Sequence, residues 1–190
     1  DRARFLQMNL FRPTFRAESF DVVLSNGVLH HTADPRGGFL GLTRLLKPGG
    51  FLVVGLYNVW GRLATDLRRL VLGGSGSRFH RLDPYLRSAG LSEAKRRAWL
   101  ADQYRHPHES KHSMGEVLDW FEAAGLEFVR GVPALDYFDP PLDQVQLFKA
   151  VPAGGQLARA WAQLRMIRTG NREGGFFVLM GGVHRHYSEV

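Results

Sequence analysis

FDVVLSNGVLHHTADP at Phe20–Pro35 and LLKPGGFLVVGLY at Leu45–Tyr57 together predict a strand, a loop, a helix, a turn and a second strand. Phe20–Ser25 is an almost continuous apolar run, which is typical of a parallel strand buried on both faces. Asn26-Gly27 ends that strand and frees the backbone. Phe51–Tyr57 has the same apolar character and predicts the second buried strand.

The residues between the two strands predict one helix. Asp34 is expected to cap the first free N–H groups, and Pro35 suits the first helical position. Lys47–Gly50, a cation followed by Pro and two Gly, is expected to end the helix. Apolar residues recur at helical spacing and form one face, at Phe39, Leu42, Leu45 and Leu46. The result is one βαβ unit, for which a right-handed crossover is expected.

The two stretches resemble the central signature of class I S-adenosylmethionine-dependent methyltransferases, of the type 11-like domain. In that family the pattern covers the fourth strand, the next helix and the turn into the fifth strand. The resemblance covers roughly the first 60 residues and includes Gln7-Met8-Asn9, Phe15 and Ser19-Phe20-Asp21. It implies a Rossmann-like open α/β sheet. It also implies methyl transfer from S-adenosylmethionine to an oxygen, nitrogen or carbon acceptor that the sequence does not identify.

The resemblance further implies an N-terminally truncated domain. The family's first three strands, its glycine-rich cofactor loop and its ribose-binding acid are expected to precede Asp1. Within the chain no G-x-G-x-G follows a strand pattern, and Gly73–Gly76 and Gly154-Gly155 are interpreted as loops. We therefore expect a single partial methyltransferase domain over residues 1–190, with a helical insertion over about residues 58–112 and no activity when isolated.

The resemblance assigns the cofactor to two places. Asn9 and Leu10 are expected at the adenine, although the family commonly carries Asp where this chain has Asn9. An amide oxygen can accept a hydrogen bond without bringing charge, and Asn9 could equally be an ordinary turn residue. Ser25, Asn26 and Gly27 are expected beside the donor methyl group, because ligands of open α/β sheets bind at the carboxyl ends of the strands.

His30 and His31 are the titratable groups of the loop after the first strand. A histidine can act as general base toward an oxygen or nitrogen acceptor, so both are candidate catalytic residues. Alternatively, one ring only caps the helix or packs beside the cofactor. Methyl transfer from a sulfonium depends mainly on alignment of donor and acceptor, so a dedicated base is not obligatory.

Composition is that of a globular protein, with 190 residues, 44% hydrophobic and 23% charged residues. No apolar run reaches the roughly 20 residues that a membrane span needs. There is no cysteine, which excludes disulfides and Cys-based zinc sites. We expect no membrane partner and a cytoplasmic location.

The net charge of +7 is concentrated between Tyr57 and His112. A basic segment of this kind favours an anionic substrate or partner, and Trp60 with Arg62, Arg68 and Arg69 could stack on a nucleotide and neutralise it. An alternative function is therefore a non-catalytic RNA- or polyanion-binding module on a methyltransferase-like scaffold. A solvated face of surface helices explains the same charges.

His108–His112 reads HESKH and matches the H-E-x-x-H zinc pattern. That pattern binds zinc only within a helix, where both imidazoles share a face. Pro107 precedes it, and Ser113–Glu116 is a capping box that predicts a new helix from Met114. We therefore expect a loop and no metal. His106, His108 or His112 could instead line an acceptor pocket.

The rest of the chain predicts further helices and strands. Helices are expected at 63–72, 92–104, 114–124 and 156–167, and strands at 126–132 and 176–180. The last helix carries an apolar stripe of Leu157, Trp161, Leu164 and Ile167. By resemblance, the last strand would insert antiparallel between the family's fifth and sixth strands.

Overall fold

A computed structural model describes residues 3–72, 86, 91–105, 108–135, 147–173 and 175–183, without the side chains of 68, 71–72, 102–105 and 168–173. The glycine-rich loop predicted at 73–77 and His106 lie outside the described residues. Where the chain is described, it forms a mixed α/β sheet flanked by helices. The predicted Rossmann-like open α/β fold is confirmed.

Four strands form the described sheet: β1 (Phe20–Asn26), β2 (Leu46–Tyr57), β3 (Leu126–Val132) and β4 (Phe176–Val183). Their spatial order is β1-β2-β4-β3. β1 and β2 are parallel, whereas β4 is antiparallel to both of its neighbours. The prediction that the last strand inserts antiparallel between the two preceding ones is thereby confirmed.

Helix α1 (Pro35–Thr43) begins as the sequence predicts, with Pro35 at the first position and an N–H of Gly37 donating to Asp34 Oδ1 at 2.8 Å. The helix ends at Thr43, several residues before the Lys47–Gly50 end that the sequence predicts. Leu45 lies in a turn and Leu46 already pairs with Phe20, so β2 starts before the Pro-Gly-Gly sequence. The pairing shifts register between Phe20 and Val22, and this irregularity accommodates the Pro-Gly-Gly residues within the strand.

The other described helices are α2 (Leu63–Leu72), α3 (Glu93–Arg105), α4 (Met114–Ala123) and α5 (Gln156–Glu173). Two of them, α3 and α4, begin at residues that cap their first turn. The N–H of Glu116 donates to Ser113 Oγ at 3.0 Å, which confirms the predicted capping box before α4. The N–H of Lys95 donates to Ser92 Oγ at 3.3 Å before α3.

One face of the sheet carries the main core. Phe39 of α1 stacks on Phe121 of α4, with ring centroids 5.4 Å apart. Both pack with strand residues that are almost completely buried, among them Leu52, Leu56, Phe177 and Leu179. Because buried apolar area stabilises the fold, this face anchors the strands that form the candidate site.

The predicted apolar stripe of α5 is exposed to solvent, as are the leucines of α2. On α5, Leu157 is 88% exposed and Trp161 59% exposed, while the buried residues are Ala162 and Met166. The apolar stripe of α5 is therefore at the surface, and the helix packs through other residues. The leucines of α2 behave in the same way, at positions Leu63, Leu67 and Leu70. No helix among the described residues has the length and apolar character of a membrane span.

Candidate functional site

The parallel strands β1 and β2 end side by side, and their ends carry the residues predicted to contact the cofactor. Ser25 is buried, and its hydroxyl has no hydrogen-bond partner among the described atoms. Gly27 has a φ of 74°, and a Cβ there would meet nothing within 4 Å. Asn26 Oδ1 lies directly over Gly55 of β2, in the space that any side chain at Gly55 would occupy.

An aromatic cluster follows the two strand ends. A short 3-10 helix, Leu29–His31, places the two histidines against β2. The ring of His30 lies 4.2 Å from the ring of His31 and 4.3 Å from that of Tyr57, measured between centroids. Phe176 completes this aromatic cluster. His30 is 1% exposed, whereas His31 is half-buried, so of the two imidazoles His31 is the more open to an acceptor.

The residues of the HESKH motif run along both strand ends as an extended segment, hereafter the 108–112 segment. The N–H of Ser110 donates to the His30 carbonyl at 2.8 Å. The N–H of His112 donates to the Tyr57 carbonyl at 2.9 Å. The segment thus continues the sheet pairing past the end of β2, with a parallel bridge between Asn58 and His112. The predicted loop is confirmed.

Glu109 anchors this segment in a buried ion cluster. Both oxygens of its carboxylate accept from Arg62 Nη2 at 2.7 Å, and Arg69 Nη2 donates to Oε2 at 2.8 Å. The side chains of Arg62 and Glu109 are 0% and 3% exposed. Arg62 also lies over the Tyr57 ring, with Cζ 4.0 Å from the centroid. The ion cluster is therefore in direct contact with the aromatic cluster.

Burial by itself would raise the pKa of Glu109, but hydrogen bonds from Arg69 and Arg62 outweigh it and hold that pKa below its ordinary value. The carboxylate is therefore ionised at neutral pH. Two cations around one anion give a site that is strongly held as long as all three groups stay charged.

Asn58 and His112 secure the C-terminal end of the segment. Asn58 is buried, and its Oδ1 accepts from the N–H groups of Trp60 and Gly61 at 2.9 and 3.1 Å. His112 bonds Glu116 Oε1 through Nδ1 at 2.9 Å and Ser110 Oγ through Nε2 at 2.8 Å. Both nitrogens of His112 are thus in structural hydrogen bonds, and among the described residues no group of three metal-type ligands gathers.

Asn9 and Leu10 lie in a turn against α1. The Oδ1 of Asn9 accepts from the N–H of Phe11 at 2.9 Å, so the amide holds its own turn, as the alternative interpretation predicts. Leu10 packs close to Gly38, where Leu29 also contacts the helix. Leu10 is therefore close to the loop that follows β1, while a role of either residue at an adenine stays a prediction.

Three described cations of the basic segment are buried or paired with acids. Arg62 is completely buried and Arg69 is paired with Glu109, while Lys111 Nζ contacts both oxygens of Asp66 at 2.6 Å. Of the residues considered as a nucleotide-binding group with Trp60, Arg62 is buried, and its guanidinium is paired with Glu109. Sequence reasoning missed the Arg62–Glu109 pair, since neither spacing nor composition links positions in separate elements.

An apolar cavity of ≈ 300 Å³ lies at the opposite, amino-terminal half of β1. Its lining includes Met8, Leu10, Phe15, Phe20 and Val22. These side chains offer no polar group for a cofactor, and the carboxyl-end groups Ser25 and His31 do not line it. The candidate site is therefore identified by its chemistry rather than by this cavity.

The first part of the chain resembles known methyltransferase sequences. Residues 1–54 match a family model described as a methyltransferase domain, so the matched sequence runs through β1 and most of β2. An uncharacterized protein from Synechococcus sp. is 26% identical over 152 residues, which is 68% of this chain and 36% of that protein. The chain thus spans about a third of the length of the curated relative that it matches.

Two solved structures share the fold at low sequence identity. The structure of PKMT2 from Rickettsia typhi superposes with a TM-score of 0.57 and 9% identity, covering 94% of this chain and 38% of that one. A complex between the Haloferax volcanii Trm112 methyltransferase activator and a candidate methyltransferase gives 0.51 and 16%, covering 95% and 61%. Residues 1–54 are thus similar to a methyltransferase domain, and the described sheet shares its fold with these two solved structures.

Proposed function

We propose that the protein containing this chain transfers a methyl group from S-adenosylmethionine to an acceptor bound where β1 and β2 end. The observation that carries the proposal is the methyltransferase-domain match over residues 1–54, which includes Ser25–Gly27 at that edge. We further propose that residues 1–190 form one partial domain with residues 58–112 as its helical insertion, and that the isolated chain is inactive.

The groups at the end of β1 fit a polar cofactor. The buried Ser25 hydroxyl lacks a partner among the described atoms, which is costly unless a ligand or water supplies one. Gly27 leaves open space beside the backbone, and Asn26 brings an amide to the same edge. When bound, S-adenosylmethionine would supply an electrophilic methyl group. Ser25, Asn26 and Gly27 would hold and orient it.

On the acceptor side we propose His31 rather than His30. His30 is enclosed by Tyr57, Phe176 and His31, so its role is to build the wall of the site. His31 is half-buried and next to the 108–112 segment, where an acceptor could reach it. Alignment of donor and acceptor supplies the main part of the rate, and a base adds to it.

Titration of the intact protein with S-adenosylhomocysteine, followed by calorimetry, tests the proposal without knowledge of the acceptor. We expect Ser25→Ala and Asn26→Ala each to weaken binding about fivefold, since one hydrogen bond contributes ~1 kcal/mol. Ser92→Ala, which changes a helix cap away from the site, is the matched control. Unchanged affinity in both site variants would remove the cofactor from this edge.

The polyanion-binding alternative cannot draw on Arg62, whose guanidinium is buried and paired with Glu109. Its remaining described basis is α3, where Lys95 and Arg97 are exposed and Arg97 pairs with Glu93 at 3.1 Å. Binding to phosphates would weaken steeply between low and moderate salt, whereas cofactor binding would respond little. A steep salt slope together with no affinity for S-adenosylhomocysteine would favour the alternative. The cytoplasmic location stays a prediction of the sequence.

A further inference from the structure

The backbone of the 108–112 segment contacts the imidazole of His31. His31 Nδ1 lies 3.3 Å from the carbonyl oxygen of His108. A carbonyl oxygen can only accept a hydrogen bond, so this contact requires the proton on Nδ1. In a neutral imidazole only one nitrogen carries a proton, and the lone pair of His31 is then on Nε2.

The position of that carbonyl depends on how the segment is anchored. The next residue, Glu109, is buried and forms ion pairs with Arg62 and Arg69. The following N–H, that of Ser110, is bonded to the carbonyl of His30, the neighbour of His31. The His108 carbonyl is thus fixed between a buried ion cluster and the short helix that carries His31.

We propose that Glu109 is a positioning residue that seats the 108–112 segment so that the His108 carbonyl holds His31 as the Nδ1–H tautomer, with Nε2 as proton acceptor. The proposal rests on the proposed function, because it deepens the role of His31 on the acceptor side. It also narrows the substrate class: the acceptor is a group that gives up a proton as it is methylated, such as a hydroxyl or an N–H group.

The proposed methyl transfer conserves atoms, electrons and charge. The acceptor oxygen or nitrogen uses a lone pair to form the new bond to the methyl carbon. The carbon–sulfur bond breaks, and its electron pair stays on sulfur, which becomes a neutral thioether. The acceptor's proton passes to His31 Nε2. The positive charge that was on the sulfonium is therefore on the imidazolium at the end.

Long-range ¹H–¹⁵N NMR of the intact protein, labelled at its histidine nitrogens, reads the tautomer without any turnover. At about pH 8, where imidazole side chains are ordinarily neutral, we expect the Nδ1–H form for His31. Loss of the signals in His31→Gln assigns them. In Glu109→Gln we expect a mixture of both tautomers at His31. Glu93→Gln, which removes an exposed carboxylate paired with Arg97, is the control and should leave the signals unchanged.

A purely structural role of Glu109 would lower the melting temperature and leave the tautomer as it is, so that result in Glu109→Gln would overturn the proposal. An Nε2–H form in the unmodified protein would overturn it as well. Should Glu109→Gln not fold, Arg69→Gln removes one of the two cations and carries the same test. Glu109→Asp, which keeps the charge, should restore much of the Nδ1–H signal.

The same samples separate this inference from the proposed function. Titration with S-adenosylhomocysteine reports on the cofactor edge, whereas the tautomer reports on the 108–112 segment. A clear Nδ1–H signal with no affinity for S-adenosylhomocysteine would overturn methyl transfer as the function and leave the tautomer assignment in place. Affinity for S-adenosylhomocysteine without an Nδ1–H signal at His31 would overturn only the positioning role of Glu109.

Discussion

Gly61 and Gly175 approach each other where the turn after β2 meets the start of β4. A Cβ on Gly61 would lie 2.6 Å from the Cα of Gly175, and Gly175 has a φ of 73°. The N–H of Asn58 donates to the Gly175 carbonyl at 2.8 Å across the same contact. Neither position has room for a side chain, because backbone atoms cannot move aside as a flexible side chain can.

Alanine at either glycine is therefore expected to destabilise the protein. We expect Gly61→Ala and Gly175→Ala to lower the free energy of unfolding by ~1–3 kcal/mol, as overpacking does. Gly115→Ala is the matched control, because Gly115 lies within α4 with only Ser113 Oγ nearby at 3.8 Å. That change should raise stability by ~0.5–1 kcal/mol. Urea unfolding measures all three, and equal effects at Gly61 and Gly115 would contradict the close contact.

Glu109 is expected to make stability depend on acidic pH. The pKa of Glu109 is lower in the folded than in the unfolded state, so near and below the ordinary glutamate pKa the unfolded state binds more protons. The free energy of unfolding therefore decreases as the pH decreases. The stabilisation is present above about pH 4.3 and is lost as the pH falls through the lower, folded-state pKa. At neutral pH, Glu109→Gln should cost ~3–5 kcal/mol, because the charge of Arg62 stays buried without its partner.

Unfolding measured from neutral to acidic pH checks this dependence. The difference in stability between the unmodified protein and Glu109→Gln should shrink as the pH falls. Glu93→Gln affects only an exposed pair and should change stability by less than about 1 kcal/mol at any pH. A difference that stays constant down to acidic pH would show that the Glu109 carboxylate contributes through shape rather than charge.

Helix α5 packs through its small and flexible residues instead of its leucines. Met166 is 3% exposed, whereas Leu164 is 47% exposed. We expect Met166→Ala to lower the free energy of unfolding by ~2–5 kcal/mol. Leu164→Ala is the control on the adjacent face and should stay within about 0.5 kcal/mol. If Leu164→Ala proved the more damaging change, the orientation of α5 described above would be reversed.

The sequence predicts the positions of helices and strands far better than it predicts which side chains contact one another. The limits of β3, the start of α4 and the inserted β4 follow from local apolar patterns, capping residues and the family resemblance. The face of α5 does not follow, because spacing shows only which residues share a face. The role of Glu109 does not follow either, since a motif known from zinc sites is here bound by two arginines from α2 and the turn before it.

As a whole, the described sheet ends at β1, which pairs only with β2 among the described strands. Val22 and Leu24 of β1 are 47% and 68% exposed. An apolar strand at a sheet edge invites pairing with another chain. We therefore expect the 190-residue chain alone to self-associate as its concentration rises, as measured by light scattering after size exclusion. Leu24→Lys should reduce this association, and a monomer at all concentrations would contradict it.

The position of β4 has a consequence for how the protein is made. Phe51 of β2 pairs with Gly182, so the last described strand lies between two strands that are synthesised long before it. Until β4 leaves the ribosome, β3 has no neighbour in the described sheet, because its only partner there is β4. β2 and β3 therefore reach their final positions in the sheet only when β4 pairs with both. Completion of the sheet is consequently a late event, and a premature stop before Phe176 would leave β3 without its partner strand in the described sheet.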